Sequence, residues 1–481
     1  MVTFWPRSIP AGRRRAPLSL CDILWLNDPV HLAVHMLAGA ALAFDADPYW
    51  EMRDRLTAEF MVVGAGPGHS LPATRRVDTV GHMKWADATV QLGWTLGVLA
   101  TEYALLAEGE RFEGYSQGGA RTPEDTAAEL AFALAALERV DAHDQAAFPD
   151  CPGPFDVLDG FFIRDDVSED ILEHFPDVTW LETDFLDPDV RNKEMSQDQA
   201  IHILLGLALV ERWVPGDVAV DGMNLRQQAI DVAARIGAHV SAGGEWSITN
   251  PGCGDAEVKR GGEALVFSTG FAAALTQITG STPDDGDAAD LWASFASPDS
   301  PAFLNPDNQH MVMALAAVGD AFGDTTFDAL MDLAAVHDWW AYPAAHVALH
   351  GWPEGRDEEV LALEAALAED VDEVTPGDDI ASPQPDGTAA HGYTVWNRYI
   401  RPGDEHYVGS DGTTGQRYAG VDYLLAFNLR LVAFDLAVEE ETPQEQGCGC
   451  ATGSGGGSGW ALLAGLLALG RRYRYSATTS T

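Results

Sequence analysis

Residues 197–214 read QDQAIHILLGLALVERWV, and this stretch decides the fold class. Apolar side chains fill almost every position from Ala200 to Val210, so a helix formed here has no polar face and must be buried on most sides. Ser196 stands immediately before it as a capping residue. The stretch therefore predicts a helix in the interior of a large helical fold.

Apolar residues recur at helical spacing through most of residues 47–434. Buried helices, rich in small and apolar residues, are predicted at 85–106, 197–214, 261–278, 309–322, 343–352 and 417–434. Amphipathic, charged helices alternate with them at 47–62, 122–140, 223–240, 325–339 and 357–369. The Thr122-Pro123 pair that opens one of these is a helix-start signal.

This alternation predicts an all-α fold, an (α/α) toroid of about six helical hairpins with the buried helices as its inner ring, and it leaves room for small β insertions. An irregular helical bundle is the alternative. The stretches 281–305 and 371–392 are rich in Asp, Pro and Gly, and we predict that they are surface loops.

The composition narrows the class of partner. The 481 residues include 74 acidic and 28 basic ones, which gives a formal charge of −46. Nucleic acid is not expected as a partner, because phosphate binding needs clustered Lys and Arg. A charge excess of this kind favours solubility in a salty or extracellular medium. The five cysteines are too few for a disulfide framework.

The C-terminal residues have the order of a membrane-sorting signal. Cys448 and Cys450 alternate with glycines at 447–450, and a Gly/Ser spacer, an apolar segment at 460–469 and an Arg cluster at 471–474 follow. Such an order is typical of a transient stop in a membrane. Residues 445–475 resemble the MYXO-CTERM sorting tail of myxobacterial surface proteins, except that a Ser/Thr-rich extension follows here. The resemblance implies export, cleavage by a sorting protease, and a final location at the cell surface or outer membrane.

Four regions are predicted on this basis. Residues 1–43 are interpreted as an atypical signal or leader, because an Arg triplet at 13–15 precedes an apolar run that ends in small residues at 41–43. Residues 44–440 are the predicted helical toroid domain. Residues 441–459 are the Gly/Ser-rich spacer with the Cys motif, and residues 460–481 are the hydrophobic segment with the basic sorting tail.

Polar and aromatic side chains recur where the buried helices begin. The inner-helix N-termini of a toroid converge on one face, where free backbone N–H groups favour anionic or hydrogen-bonding groups. Several of the 14 tryptophans would suit stacking on sugar rings, among them Trp94 and Trp180. The candidate site residues at these entries are Trp85, Asp87, Gln197, Asp198, Trp246, Arg260, His310, Tyr418 and Asp422.

The loop at 159–166 supplies one more candidate, because Arg164 precedes the paired acids Asp165 and Asp166. Adjacent carboxyl groups raise one another's pKa when they are buried together, which suits a general acid, and Arg164 can hold the other group ionised. An exposed acidic turn neutralised by Arg164 is the alternative.

The predicted toroid, the carboxylates at the helix entries and the aromatic side chains together resemble the six-hairpin toroid glycosidases and polysaccharide lyases, by architecture alone. The resemblance implies a surface enzyme that acts on a polysaccharide or oligosaccharide. The leading hypothesis is an inverting glycoside hydrolase with Asp198 as the acid and Asp87 or Asp166 as the base that activates water. The sugar would be positioned by Trp85, Gln197 and His310.

Two alternatives stay open. In a polysaccharide lyase, His310 and Tyr418 would act as base and acid, while Arg260 or Arg417 neutralises a uronate. In the other alternative, the chain is a noncatalytic surface protein that binds glycan or a partner.

No cofactor or metal site is predicted. The sequence has no P-loop, no dinucleotide-binding fingerprint and no H-E-x-x-H motif. His346 and His350 share a helix face at i and i+4, but without a nearby acidic ligand motif this pair favours packing over coordination.

Overall fold

The computed structural model describes residues 46–76, 81–85, 87–109, 112, 114–115, 121–142, 144–148, 158–186, 195–242, 246–250, 256–259, 265–284, 288–297, 300, 306–336, 339–372, 416–417 and 419–436. All of them belong to the first of the two units into which the chain divides, Met1–Glu440. The predicted leader at 1–43 and the predicted sorting tail lie outside the described residues.

The described part of the chain is mostly helical, as the sequence predicts. Its helices are α1 (Asp47–Arg55), α2 (Ala88–Ala107), α3 (Pro123–Ala142), α4 (Gln197–Trp213), α5 (Leu225–Val240), α6 (Ser268–Thr279), α7 (Ala289–Phe295), α8 (Pro306–Gly319), α9 (Thr326–Ala334), α10 (Ala341–His350), α11 (Asp357–Asp372) and α12 (Val421–Leu431). A single helical turn at Asp144–Ala147 and π-helical turns at Leu56–Phe60 and Val432–Leu436 add to these.

The helices differ in burial in the order that the sequence predicts. In α2, 18 of the 20 residues are buried, whereas in α3 only 10 of 20 are. Helices α4, α10 and α12 are buried almost throughout, and α5 buries one face. Helix α3 begins as its Thr122-Pro123 signal predicts, since Thr122 Oγ1 accepts a hydrogen bond from Asp125 N at 3.1 Å. One prediction is wrong, because the predicted loop at 281–305 contains helix α7.

The buried helices pack on one another in chain order. Helix α2 contacts α4, α4 contacts α6, and the same holds for α6 with α8, α8 with α10 and α10 with α12. Helix α12 contacts α2, and α4 also contacts α8. The less buried helices pack outside: α3 on α2, α5 on α4 and α6, α7 on α6, α9 on α8 and α10, and α11 on α10 and α12.

A four-stranded sheet leads into α2 through its strand β2 (His82–Lys84). Its strand order is β3 (Trp180–Glu182), β2 (His82–Lys84), β1 (Thr74–Arg76) and β8 (Gln416–Arg417), with β2 and β3 parallel and the other pairs antiparallel. The short hairpins β4–β5 (Ala219–Val220 and Met223–Asn224) and β6–β7 (Ile248–Asn250 and Ala256–Lys259) are the other strands of the described residues. Strand β2 ends at Lys84, and α2 starts shortly after it at Ala88. Because β3 runs parallel to β2 with Glu182 opposite Lys84, the residues that follow β3 lie beside the entry to α2.

A buried ionic network connects α1, α2 and α3. Arg53 and Glu102 are both fully buried, and Arg53 Nε donates to Glu102 Oε2 at 3.0 Å. Glu102 also accepts hydrogen bonds from Tyr49 OH at 2.6 Å and Thr126 Oγ1 at 2.7 Å, and Arg53 forms a second ion pair with Glu129. Every carboxylate oxygen of Glu102 thus has a donor, as a buried charge requires.

No helix within the described ranges is both long and apolar enough to cross a membrane.

Candidate functional site

Helices α2 and α4 cross at two glycines. A Cβ atom on Gly93 would lie 2.2 Å from the carbonyl oxygen of His202, and one on Gly206 would lie 2.1 Å from the carbonyl oxygen of Gly93. Only glycine permits this approach of two backbones. The approach brings the next residue, Trp94, onto α4, where its indole Nε1 donates to His202 Nδ1 at 3.0 Å.

The hydrogen bond from Trp94 determines which ring nitrogens carry protons in the two adjoining histidines. An indole N–H can only donate, so Nδ1 of His202 accepts, and the neutral ring carries its proton on Nε2. That atom lies 2.8 Å from Nδ1 of His310, which therefore accepts as well. The proton of neutral His310 is then on its Nε2, and the two rings stack with centroids 5.0 Å apart. The chain of hydrogen bonds makes the far nitrogen of His310 a donor.

Tyr342 and Asp422 extend this group to two more helices. The rings of Trp94 and Tyr342 meet edge to face with centroids 5.9 Å apart. Tyr342 is fully buried, and burial together with the negative charge of Asp422 raises its pKa well above the ordinary value. Its hydroxyl therefore stays protonated at neutral pH. We call Trp94, His202, His310, Tyr342 and Asp422 the central cluster.

The central cluster joins five helices at the same end. Its members come from the first two turns of α2, α4, α8, α10 and α12, and each is buried. Of the residues predicted from the sequence, the structure brings His310 and Asp422 into this cluster. The neighbouring Gln309 is 1% exposed, and its Oε1 has no hydrogen-bond partner among the described residues. An unsatisfied buried acceptor of this kind is costly without a ligand or water.

Gln197 and Asp198 lie in the first turn of α4. Ser196 and Gln199 form a capping box there, with Ser196 N donating to Gln199 Oε1 at 3.1 Å. Ser196 Oγ also hydrogen-bonds to Asp198 Oδ1. Gln197 is buried and Asp198 is partly exposed, so the carboxylate of Asp198 lies at the rim of the helix entry.

A second group of carboxyl groups lies at the entry to α2. Asp165 is buried and accepts hydrogen bonds from Thr183 Oγ1 and from the backbone N of Asp184, the latter at 2.8 Å. Burial still raises the pKa of Asp165 to about 6. Burial and then the charge of Asp165 raise the pKa of Asp184 to about 7, to which Asp87 contributes. Oδ2 of Asp184 is shielded from solvent and has no hydrogen-bond partner in the described part. We call Asp87, Asp165 and Asp184 the acidic cluster.

The aromatic side chains around this entry differ in exposure. Trp85 is 1% exposed, and its Nε1 donates to Leu71 O at 3.2 Å, so its ring is part of the core. Trp246, predicted at the entry to another buried helix, is also buried; it packs on Phe271 of α6 and donates to Asp284 O. Trp180 on the edge strand β3 is 56% exposed and stacks on His82 at 4.0 Å between ring centroids. Trp180, four residues before Asp184 in the chain, therefore presents an exposed ring that a sugar can reach.

Asp166 adjoins the acidic cluster through Asp165 but has partners of its own. It is buried, forms an ion pair with Arg139 on α3, and accepts a hydrogen bond from Gly68 N at 2.9 Å. Arg139 in turn donates to His69 O at 2.8 Å, which fastens the 64–70 loop to α3. The sequence predicts that Arg164 holds one of the paired acids ionised. The structure adds Arg139 as an ion-pair partner of Asp166, and the charge of Arg164 lowers the pKa of Asp184.

The side chains of three predicted residues lie outside the part that the structure describes. Arg260 and Tyr418 lie outside the described residues, and of Arg417 only the backbone is described, in strand β8. The role of Arg260, Tyr418 and Arg417 in a lyase reaction stays a prediction.

Asp184 and Tyr342 were not recognised in the sequence. Asp184 follows a three-residue strand, too short for a period-2 pattern to identify, and its pKa depends on Asp165, 19 positions earlier. Tyr342 lies at the start of α10, where an aromatic residue is indistinguishable from a packing residue. The sequence does contain one indication of the central cluster. The pair Gly93-Trp94 places a large ring beside a glycine inside a buried helix, which indicates a close approach of two helices.

Comparisons with protein-family models, with curated proteins and with solved structures find no match to this chain.

Proposed function

We propose that this protein is an exported, glycan-active surface enzyme, and that its leading reaction is inverting glycoside hydrolysis at the acidic cluster. The observation that carries the proposal is the carboxyl pair Asp165 and Asp184 at the entry to α2. Asp184 has a pKa of about 7, and its shielded Oδ2 has no hydrogen-bond partner among the residues that the structure describes. A carboxyl group that stays protonated near neutral pH is what a proton donor to a glycosidic oxygen requires.

The helix contacts support a toroid as the scaffold of this site. Each buried helix packs on the next, and α12 returns to α2, which is the order of contacts in an inner ring. The members of the central cluster all come from the first two turns of their helices, so these N-terminal ends lie together. Trp94 follows Asp87 by seven residues, which places the two clusters roughly 10 Å apart along α2.

The roles of the individual residues follow from their surroundings. Asp184 is the proposed acid, with Asp198 as the other candidate at the entry to α4. Asp87 is the proposed base, because its charge acts on Asp184. Inversion requires the two carboxyl groups to lie about 6.5–9.5 Å apart. Asp166 is less suited to that role, because Arg139 and Gly68 N already bind its carboxylate. Trp180 offers its exposed ring for stacking on a sugar.

A polysaccharide lyase is the second candidate, because the central cluster contains the residue types that it needs. His310 and Tyr342 are the acid and base types that such a reaction uses, and they lie at one end of neighbouring helices α8 and α10. However, the bond from Trp94 makes Nε2 of His310 a donor, so neutral His310 suits hydrogen bonding or proton donation better than proton abstraction. The strongly acidic chain also disfavours an anionic substrate.

The location of the protein is proposed from the termini alone. The spacer, cysteines, apolar segment and Arg cluster at 447–474 support cleavage by a sorting protease and retention at the cell surface or outer membrane. The charge of −46 suits that exposed position.

The test is a panel of neutral and uronate polysaccharides with the full-length protein and four single variants. We expect hydrolysis of at least one glycan, with a loss of about 10²–10⁴ in rate for Asp184→Asn and for Asp87→Asn. Trp180→Ala should raise KM. The control Asp170→Asn, at an exposed position in the 3-10 helix Glu169–Glu173, should keep full activity.

The outcomes separate the candidates. Unsaturated products from a uronate polymer would establish the lyase, and binding without turnover would establish a noncatalytic glycan-binding protein. Full hydrolytic activity in both Asp184→Asn and Asp87→Asn would place the chemistry elsewhere.

A further inference from the structure

Two histidines and an aspartate meet at the opposite end of α8 and α10 from the central cluster. His346 and His350 occupy successive turns of α10, and Asp320 follows the last residue of α8. His346 Nε2 lies 3.5 Å from Asp320 Oδ1, and His350 Nδ1 lies 3.6 Å from Asp320 Oδ2. One potential ligand atom from each of the three side chains lies within 4.8 Å of the others. The sequence alone presents the two histidines as a packing pair, and the fold adds the carboxylate.

Hydrogen bonds to the backbone orient both rings. His350 Nε2 lies 3.0 Å from Val318 O, and His346 Nδ1 lies 3.4 Å from Ala317 O. A carbonyl oxygen can only accept, so each of these nitrogens carries the ring proton. The remaining nitrogens, Nε2 of His346 and Nδ1 of His350, then have lone pairs on the side of Asp320. Ligating histidines in metal sites are typically held by a backbone carbonyl in this way.

The distances fit a shared ion better than a direct ion pair. Hydrogen bonds between imidazole and carboxylate are about 2.7–2.9 Å long when charged. Two ligands on a tetrahedral ion with bonds of about 2.0–2.1 Å lie roughly 3.3 Å apart. The observed 3.5 and 3.6 Å are close to that separation.

We propose that Asp320, His346 and His350 bind a divalent transition-metal ion, with Zn²⁺ as the probe ion. Two imidazoles and one carboxylate are a donor set that Zn²⁺ accepts, and the negative end of the α8 dipole lies beside it. Asp320 is exposed, so the fourth position is open to water. The ion joins the end of α8 to α10, and the first two turns of these helices carry His310 and Tyr342.

The test is calorimetric titration of chelator-treated full-length protein with ZnCl2, in a background in which both tail cysteines are replaced by Ser. We expect one tight site per chain and a rise in Tm that MgCl2 does not produce, because Mg²⁺ prefers oxygen ligands. Asp320→Asn and His350→Gln should each weaken the site at least tenfold. His174→Gln, at an exposed histidine outside the group, is the matched control and should bind as the parent does.

Asp320→Gly separates binding from folding. Asp320 has φ of 50°, a conformation that glycine adopts without strain, so this variant should have a Tm in chelator at least as high as the parent and still lose the Zn²⁺-dependent rise. A tetrahedral Co²⁺ absorption spectrum in the parent, absent from the variant, would support the same geometry. Unchanged Zn²⁺ affinity in both Asp320→Gly and His350→Gln would overturn the proposal.

Discussion

Replacing Asp184 by Asn should stabilise the protein at alkaline pH, although it removes the proposed catalytic acid. The pKa of Asp184 is about 7 instead of 3.8, because the ionised group is partly buried beside Asp165 and Asp87. The difference is about 3 pKa units, and each unit corresponds to about 1.4 kcal/mol. The full effect of about 4 kcal/mol is reduced by solvent at a partly exposed group, so we expect about 2 kcal/mol.

The pH dependence has a definite sign. The pKa of this carboxyl group is higher in the folded chain than in the unfolded chain. Its contribution to stability is fully present at a pH below the pKa of the unfolded chain, and it is lost as the pH rises through the pKa of the folded chain. The wild-type protein should therefore lose stability relative to Asp184→Asn between about pH 4 and pH 7. Below that window the two proteins should have equal free energies of unfolding.

Urea unfolding followed by circular dichroism measures this difference without knowledge of the substrate. At about pH 8.5 the variant should have the higher free energy of unfolding, and at about pH 4 the two curves should coincide. Asp170→Asn, at an exposed carboxyl group, is the control and should match the wild type at both values. A variant that is less stable than the wild type at the higher pH would mean that Asp184 has a structural role, and the argument for a strained catalytic acid would fail.

Three further predictions concern packing, charge and processing. Gly93→Ala puts a methyl group 2.2 Å from the carbonyl oxygen of His202. The free energy of unfolding measured in urea should therefore fall by about 2 kcal/mol or more, although Ala has the better helix propensity. The control Gly216→Ala, with open space around it, should be nearly neutral. Arg53→Met leaves Glu102 buried without its cation, and the free energy of unfolding should fall by about 3–5 kcal/mol, part of which the additional change Glu102→Leu should recover. Replacing the two tail cysteines by Ala should leave uncleaved protein in the membrane fraction on immunoblots; unchanged surface delivery would contradict the sorting hypothesis.

The buried carboxyl groups of Glu102, in the helix packing, and Asp184, in the proposed site, have different surroundings. Glu102 has a cation and two hydroxyl donors within hydrogen-bond distance, so its charge is neutralised inside the helix packing. Within the described part of the chain no donor binds Oδ2 of Asp184, and burial with the charges of Asp165 and Asp87 raises its pKa although Arg164 and Lys84 lower it. Sites that are unfavourable for stability in this way are commonly functional. The contrast between Glu102 and Asp184 is the physical basis for locating the proposed chemistry at the entry to α2.

The sequence by itself determined the helical class and which helices would be buried. Apolar periodicity reports how much of a helix must leave water, and the local signal at Thr122-Pro123 reports where one begins, because both depend on residues a few positions apart. Helices α2, α4 and α10 accordingly lie close to their predicted bounds. The stretch at 281–305 misled the prediction, because Asp, Pro and Gly surround a short helix there.

Only the tertiary structure decided which polar side chains meet. The hydrogen bonds from Trp94 to His202 and from His202 to His310 each span 108 positions, and Asp320 joins His346 across 26. Periodicity gives the buried face of a helix but not the partner that faces it, since this depends on the rotation and crossing of helices such as α2 and α4. The pKa of Asp184 is likewise raised only in the folded chain, because desolvation and neighbouring charges arise when distant segments pack together.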